Sequence, residues 1–171
     1  MAKVRKKDIT NEESNEAWEL IENSPNDRIV AVLAGAYLEH YLGRCVRMHL
    51  HYVKEITDKD FDFGPFSSFD AKAKLGRLTG IYGDKLYSDL KIIVSIRNLF
   101  AHRFDIESFS HPEIEQLIGK LKMGDNDVAA LKITAKRNPT LREIFISAVT
   151  TITQFIGDRR VTQMPTPPEH S

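Results

Sequence analysis

Ile29-Val-Ala-Val-Leu-Ala-Gly-Ala-Tyr-Leu38 is apolar on nearly every side of the helix it would form. A helix without a polar face must be covered by neighbours all round, so this segment belongs at the centre of a bundle. Asn26 or Asp27 is the natural cap, and the helix is predicted from about Arg28 to Val53. Upstream, Thr10 with Glu13 has the form of a capping box, Trp18 and Ile21 give a short first helix one side to bury, and Ser24-Pro25 stops it. Downstream, helical period is lost between Thr57 and Phe69, where Phe61, Phe63, Phe66 and Phe69 alternate with Asp, Gly, Pro and Ser. An ordered loop anchored by aromatic rings is expected there, its rings buried within the protomer or against a second copy.

Ser67 or Ser68 caps the next helix, over about Asp70 to Thr79. Gly80 and Gly83 bracket a turn, and Asp84 opens a long helix that ends around His102 to Phe104. Ser110-His-Pro-Glu113 is a further start signal, with an end near Lys122 before the turn Met123-Gly-Asp-Asn126. Asp127 to Arg137 fits either a helix or a strand-like connection. Pro139 begins a last helix through about Phe155, with Leu141, Ile144, Phe145, Ala148, Ile152 and Phe155 at helical spacing. The prediction is an all-α, single-domain helical bundle of about six or seven helices over residues 10–160, with a basic lead-in at 1–9 and a disordered tail at 161–171.

Bulk properties bound the function. The 171 residues are 42% hydrophobic and 28% charged, enough for one good core. Lys plus Arg and Asp plus Glu each number 24, so no overall basic field drives nonspecific nucleic-acid binding, although a local basic patch is allowed. Cys45 is the sole cysteine, which excludes an internal disulfide and a cysteine-rich metal site and leaves it as a small core residue. No apolar run approaches the roughly 20 residues that span a bilayer, and Met1-Ala-Lys-Val-Arg-Lys-Lys7 lacks a secretory apolar segment. A cytoplasmic protein without membrane attachment, metal or cofactor is expected.

Ser95-Ile-Arg-Asn-Leu-Phe-Ala-His-Arg103 carries the candidate site. Phe104, Phe100, Ile93, Leu90 and Leu86 trace an apolar stripe, and Arg97 stands where the stripe needs a residue between Ile93 and Phe100. A guanidinium in that position costs several kcal/mol unless a carboxylate or a bound anion meets it.

Phe63-Gly-Pro-Phe-Ser-Ser-Phe-Asp-Ala-Lys-Ala-Lys-Leu-Gly-Arg-Leu-Thr-Gly80 and Asp89-Leu-Lys-Ile-Ile-Val-Ser-Ile-Arg-Asn-Leu-Phe-Ala-His102 resemble the mannitol operon repressor (MltR) family. Leu38-Glu39 and Pro139-Thr-Leu-Arg-Glu-Ile-Phe145 support the resemblance, which covers about Arg28 to Phe155. It implies a helical regulator linked to sugar-alcohol uptake genes, with no DNA-reading motif of its own. Arg97-Asn98-x-x-x-His102 also resembles the Arg-x4–6-His signature of HEPN (higher eukaryotes and prokaryotes nucleotide-binding) domains, many of which are metal-independent ribonucleases. Positions five apart lie about 140° around a helix, so Arg97 and His102 face one ligand only if the last turn unwinds.

Two roles therefore stand open. As a ribonuclease, His102 would be the general acid or base, Arg97 would neutralise charge on phosphorus, and Asn98 would orient the phosphate or the imidazole. As scaffold, Arg97 would pair with Glu39 of the central helix, and His102 would cap its own helix end. Lys72, Lys74, Arg77, Lys85 and Lys91 either form a basic face for phosphate or an acidic partner, or solvate an amphipathic helix; Glu39, Lys72 and Arg77 are the residues assigned to binding or support. A regulator working through protein contact and self-association, with weak or absent direct DNA binding, is preferred; the alternative is a HEPN-type endoribonuclease or RNA binder.

Overall fold

The computed structural model describes residues 11–51, 53–122 and 137–162. Among these it has seven helices and no strand: α1 (Asn11–Asn23), α2 (Asp27–His49), α3 (Asp58–Asp62), α4 (Phe69–Leu78), α5 (Asp84–His102), α6 (Pro112–Ile118) and α7 (Leu141–Thr162). The basic lead-in, Thr10 of the first capping box, the turn at Met123–Asn126, the ambiguous stretch as far as residue 136 and the tail from residue 163 lie outside the described residues.

The chain is an all-α, single-domain bundle, and α2 is its axis, packed against α1, α4, α5 and α7. Val30, Ala31, Ala34, Leu38, Leu42 and Val46 are fully buried along it. Burying each Val or Leu contributes about 1.5–3 kcal/mol, so this one helix holds a large part of the core. By length and a mean hydropathy of 1.2 over an 18-residue window, α2 is in fact apolar enough to cross a bilayer, contrary to expectation. Its place among four other helices accounts for that composition. Asn26 is the cap, its Oδ1 accepting from the amides of Arg28 (2.9 Å) and Ile29 (3.2 Å). Cys45 is buried in the same core.

The expected loop between Thr57 and Phe69 contains the short helix α3. Thr57 and Asp60 form a capping box, with the Thr57 amide donating to Asp60 Oδ2 at 2.7 Å, which holds the Asp60 carboxyl below its usual range. Arg47 of α2 clamps α3 from above, bonding Asp62 Oδ1 at 3.0 Å with its guanidinium 5.1 Å from the Phe61 ring centroid. Phe61 and Phe69 are buried and Phe66 packs against the core, while Phe63 is exposed. Three of the four aromatic anchors are thus spent inside the protomer.

Ser68 caps α4 by accepting from the Ala71 amide at 3.1 Å. The turn to α5 passes through Gly80, whose φ of +76° favours a residue without a side chain. α6 starts at Pro112 under a His111 cap but stops at Ile118, one turn short of expectation. α7 begins under a local cap: Arg137 bonds Glu143 Oε1 at 2.6 Å, the Thr140 amide donates to Oε2 at 2.7 Å, and together they bring the Glu143 carboxyl down to about 2.

Candidate functional site

The buried stripe of α5 is Leu86, Leu90, Ile93, Ile96 and Phe100. Ile96, not Arg97, fills the gap between Ile93 and Phe100, and Phe104 is 90% exposed rather than on the stripe. A period of 3.6 allows a core position at either 96 or 97, and the apolar residue takes it. Arg97 sits on the flank, half-buried, with its stem across Gly35 of α2. A methyl added at Gly35 would lie 2.6 Å from Arg97 Cγ and 2.9 Å from Cβ. The guanidinium then reaches outward, as amphipathic side chains do, and donates from Nη1 to Asn98 Oδ1 at 2.9 Å.

Glu39 does not pair with Arg97. Its Oε1 accepts from Lys72 Nζ at 2.7 Å, and that ammonium also donates to the Ser67 carbonyl at 2.9 Å. Lys72 is only 4% exposed, so its charge is the one that needs a buried counter-ion. It therefore does not belong to a basic surface. Arg77 bonds Asp84 Oδ1 at 2.6 Å and Lys91 bonds Asp70 Oδ1 at 2.5 Å, so two more charges of the expected basic face are met by carboxylates. Through this bond Arg77 lowers the pKa of Asp84, and Asp84 raises that of Arg77.

α5 runs unbroken to His102, which leaves Arg97 and His102 about 140° apart around one helix. His102 is exposed. The carbonyls at this helix end are met by Arg28 of α2: Nη1 bonds the Phe100 oxygen, and Nη2 bonds the oxygens of Arg103 (3.1 Å) and Ile106 (2.9 Å). Arg142 of α7 treats the end of α1 in the same way, donating to the carbonyls of Glu22 (3.3 Å) and Ser24. Asp27 links the two arginine caps, accepting from the Phe109 amide at 2.9 Å and from Arg142 Nη1 at 3.4 Å. These three residues escape a sequence reading because their partners lie 72 or more positions away. The one local hint is a cation in the first turn of α2, where the helix dipole disfavours it, which implies an anchor elsewhere.

The braced corner presents one apolar side chain. Arg103 is tied to Asp105 and Glu113, both at 2.5 Å, and its pKa is raised by those bonds. Next to it Phe104 projects into solvent and lines an open groove of about 530 Å³ with Pro25, Asn26, Glu107 and Ser108.

No protein-family model matches the chain, and no curated protein does. Two solved structures share its architecture. One is a chain of the MtlR–HPr complex from Escherichia coli, at 17% identity, covering 86% of this chain and 98% of that one with a TM-score of 0.53. The other is YggD from Shigella flexneri, described as a possible transcriptional regulator, at 13% identity, covering 90% and 99% of the two chains with a TM-score of 0.60. The likeness is one of fold. It runs nearly the whole length of both chains, so the helical architecture implied by the MltR resemblance is the one observed.

Proposed function

We propose that the chain is an MltR-like regulator of sugar-alcohol or carbohydrate uptake genes that works by docking another protein. The observation that carries this reading is Phe104, 90% exposed on a turn whose backbone is held by Arg28 and whose neighbour Arg103 is held by two carboxylates. An aromatic side chain kept in water on a braced turn loses little freedom on binding, which is the property of an interface anchor. A fold shared with a chain solved in complex with HPr makes HPr the first partner to test. Isothermal titration of the purified chain with HPr is expected to give micromolar or tighter binding, weakened about tenfold or more by Phe104→Ala. Absence of binding, or binding unaffected by Phe104→Ala, overturns the assignment of this surface. Direct DNA binding is expected to be weak and lost with added salt.

A second reading is favoured by Arg97, which has no carboxylate partner among the described residues and bonds exposed Asn98, with exposed His102 on another side of the same helix. A guanidinium left in this state is available to a phosphate. Under this reading two copies would bring Arg97 of one and His102 of the other to the same RNA. Labelled RNA incubated in EDTA with wild type and His102→Ala decides it: cleavage lost in the variant establishes a ribonuclease, and no cleavage by wild type ends the idea.

A further inference from the structure

A cavity of about 430 Å³ opens between α1, α2 and α7, and its lining shares no residue with the groove at Phe104. One wall is aromatic: Trp18 and Tyr37 lie with ring centroids 5.3 Å apart and planes tilted by 47°. Tyr37 is fixed in turn, its ring 4.7 Å from that of Tyr41 and its hydroxyl 3.0 Å from Ser14 Oγ, which also bonds the Tyr41 hydroxyl at 3.0 Å. Trp18 is fixed by donating from its indole nitrogen to Glu22 at 2.9 Å. The rest of the lining is Asn15 and Glu19 of α1 and Thr150, Thr153 and Gln154 of α7. Thr153 Oγ1 is buried without a hydrogen-bond partner among the described residues. A buried hydroxyl in that state is one that a bound ligand can satisfy.

We infer that this cavity binds a small neutral saccharide ring. Two aromatic rings in one lining with amides, hydroxyls and a carboxylate suit a ligand with an apolar face and a rim of hydroxyls. The tilt of the wall selects its shape. A flat heteroaromatic ring can lie parallel to either Trp18 or Tyr37 but not to both, whereas the C–H groups of a puckered ring project far enough to touch both. Charge selects further: among the described lining residues Glu19 is the one ionised group, so a phosphorylated sugar meets a like charge and no cation.

Trp18 is the only tryptophan in the chain, so its fluorescence reports this cavity directly. Titration of the full chain with an aldohexose, a ketohexose, a linear hexitol, a hexose phosphate and a nucleoside is the test. At least one hexose is expected to change the emission saturably, with a dissociation constant of about 0.1–10 mM. The linear hexitol, the nucleoside and the hexose phosphate are each expected to bind at least about tenfold more weakly than that hexose. Glu19 is exposed, and Glu19→Gln should leave thermal unfolding unchanged. It should weaken the hexose about three- to tenfold while narrowing the discrimination against the phosphate, a paired effect that loss of packing would not produce. Thr153→Val, which removes the hydroxyl at constant shape, should also weaken binding. No saturable response to either hexose at about 50 mM overturns the proposal, as does a nucleoside or a linear hexitol that binds as well as the best hexose.

Discussion

Two glycines of α2 each carry the stem of a cation from a neighbouring helix, and the two cations end differently. At Gly43 the Lys72 stem passes at 3.5 Å and its ammonium finishes in a buried bond to Glu39; at Gly35 the Arg97 stem presses closer and its guanidinium finishes at the rim on Asn98. The same packing device therefore serves a closed ion pair in one place and leaves a charge accessible in the other. What separates them is depth: the Lys72 ammonium is buried and is met by a carboxylate, whereas the Arg97 guanidinium stays at the rim, with no carboxylate partner among the described residues.

The contrast breaks most visibly if the two cations are removed. Lys72→Ala removes the buried ammonium from a Glu39 carboxylate that is 16% exposed, and is expected to cost about 2–4 kcal/mol in urea unfolding, against about 1 kcal/mol or less for Arg97→Ala. Equal losses would mean that Arg97 is structural after all. Gly35→Ala is expected next, at about 1–2 kcal/mol of destabilisation, because the added methyl meets the rigid base of the Arg97 side chain rather than its flexible tip. Most of that loss should vanish in the Arg97→Ala background, which a double-mutant cycle measures. Gly43→Ala is the smallest effect and has the opposite sign: the methyl finds ordinary contact at 3.5 Å from Lys72, so the higher helix propensity of alanine should raise stability by about 0.5–1 kcal/mol.

The fold was legible where one helix alone determines it. The all-round apolarity of Ile29 to Leu38 places α2 at the centre, and the caps at Asn26 and Ser68 and the start at Asp84 are local features that a sequence displays. The candidate site was less legible for three physical reasons. A helical period cannot choose between Ile96 and Arg97 when both lie within the width of the stripe, and burial chose the isoleucine. Glu39 has one carboxylate and more than one cation within reach of its helix, and only depth assigns it. The arginine caps join residues 72 or more positions apart, so neither Arg28 nor Arg142 stands near in sequence to the helix end it serves. The α3 helix was missed because it is five residues long and its box closes with Asp60 instead of the usual Glu or Gln.

Asp27 and Arg142 meet across 115 residues of sequence. On a translating ribosome, adding residues at about 5–20 per second, Asp27 is made on the order of ten seconds before its partner. Throughout that interval the carbonyls that end α1 have water instead of a guanidinium, and the axis helix lacks α7, its most extensive neighbour. The nascent chain therefore carries an α2 that α1, α4 and α5 can already pack against, with the side that α7 covers left bare until the last helix emerges.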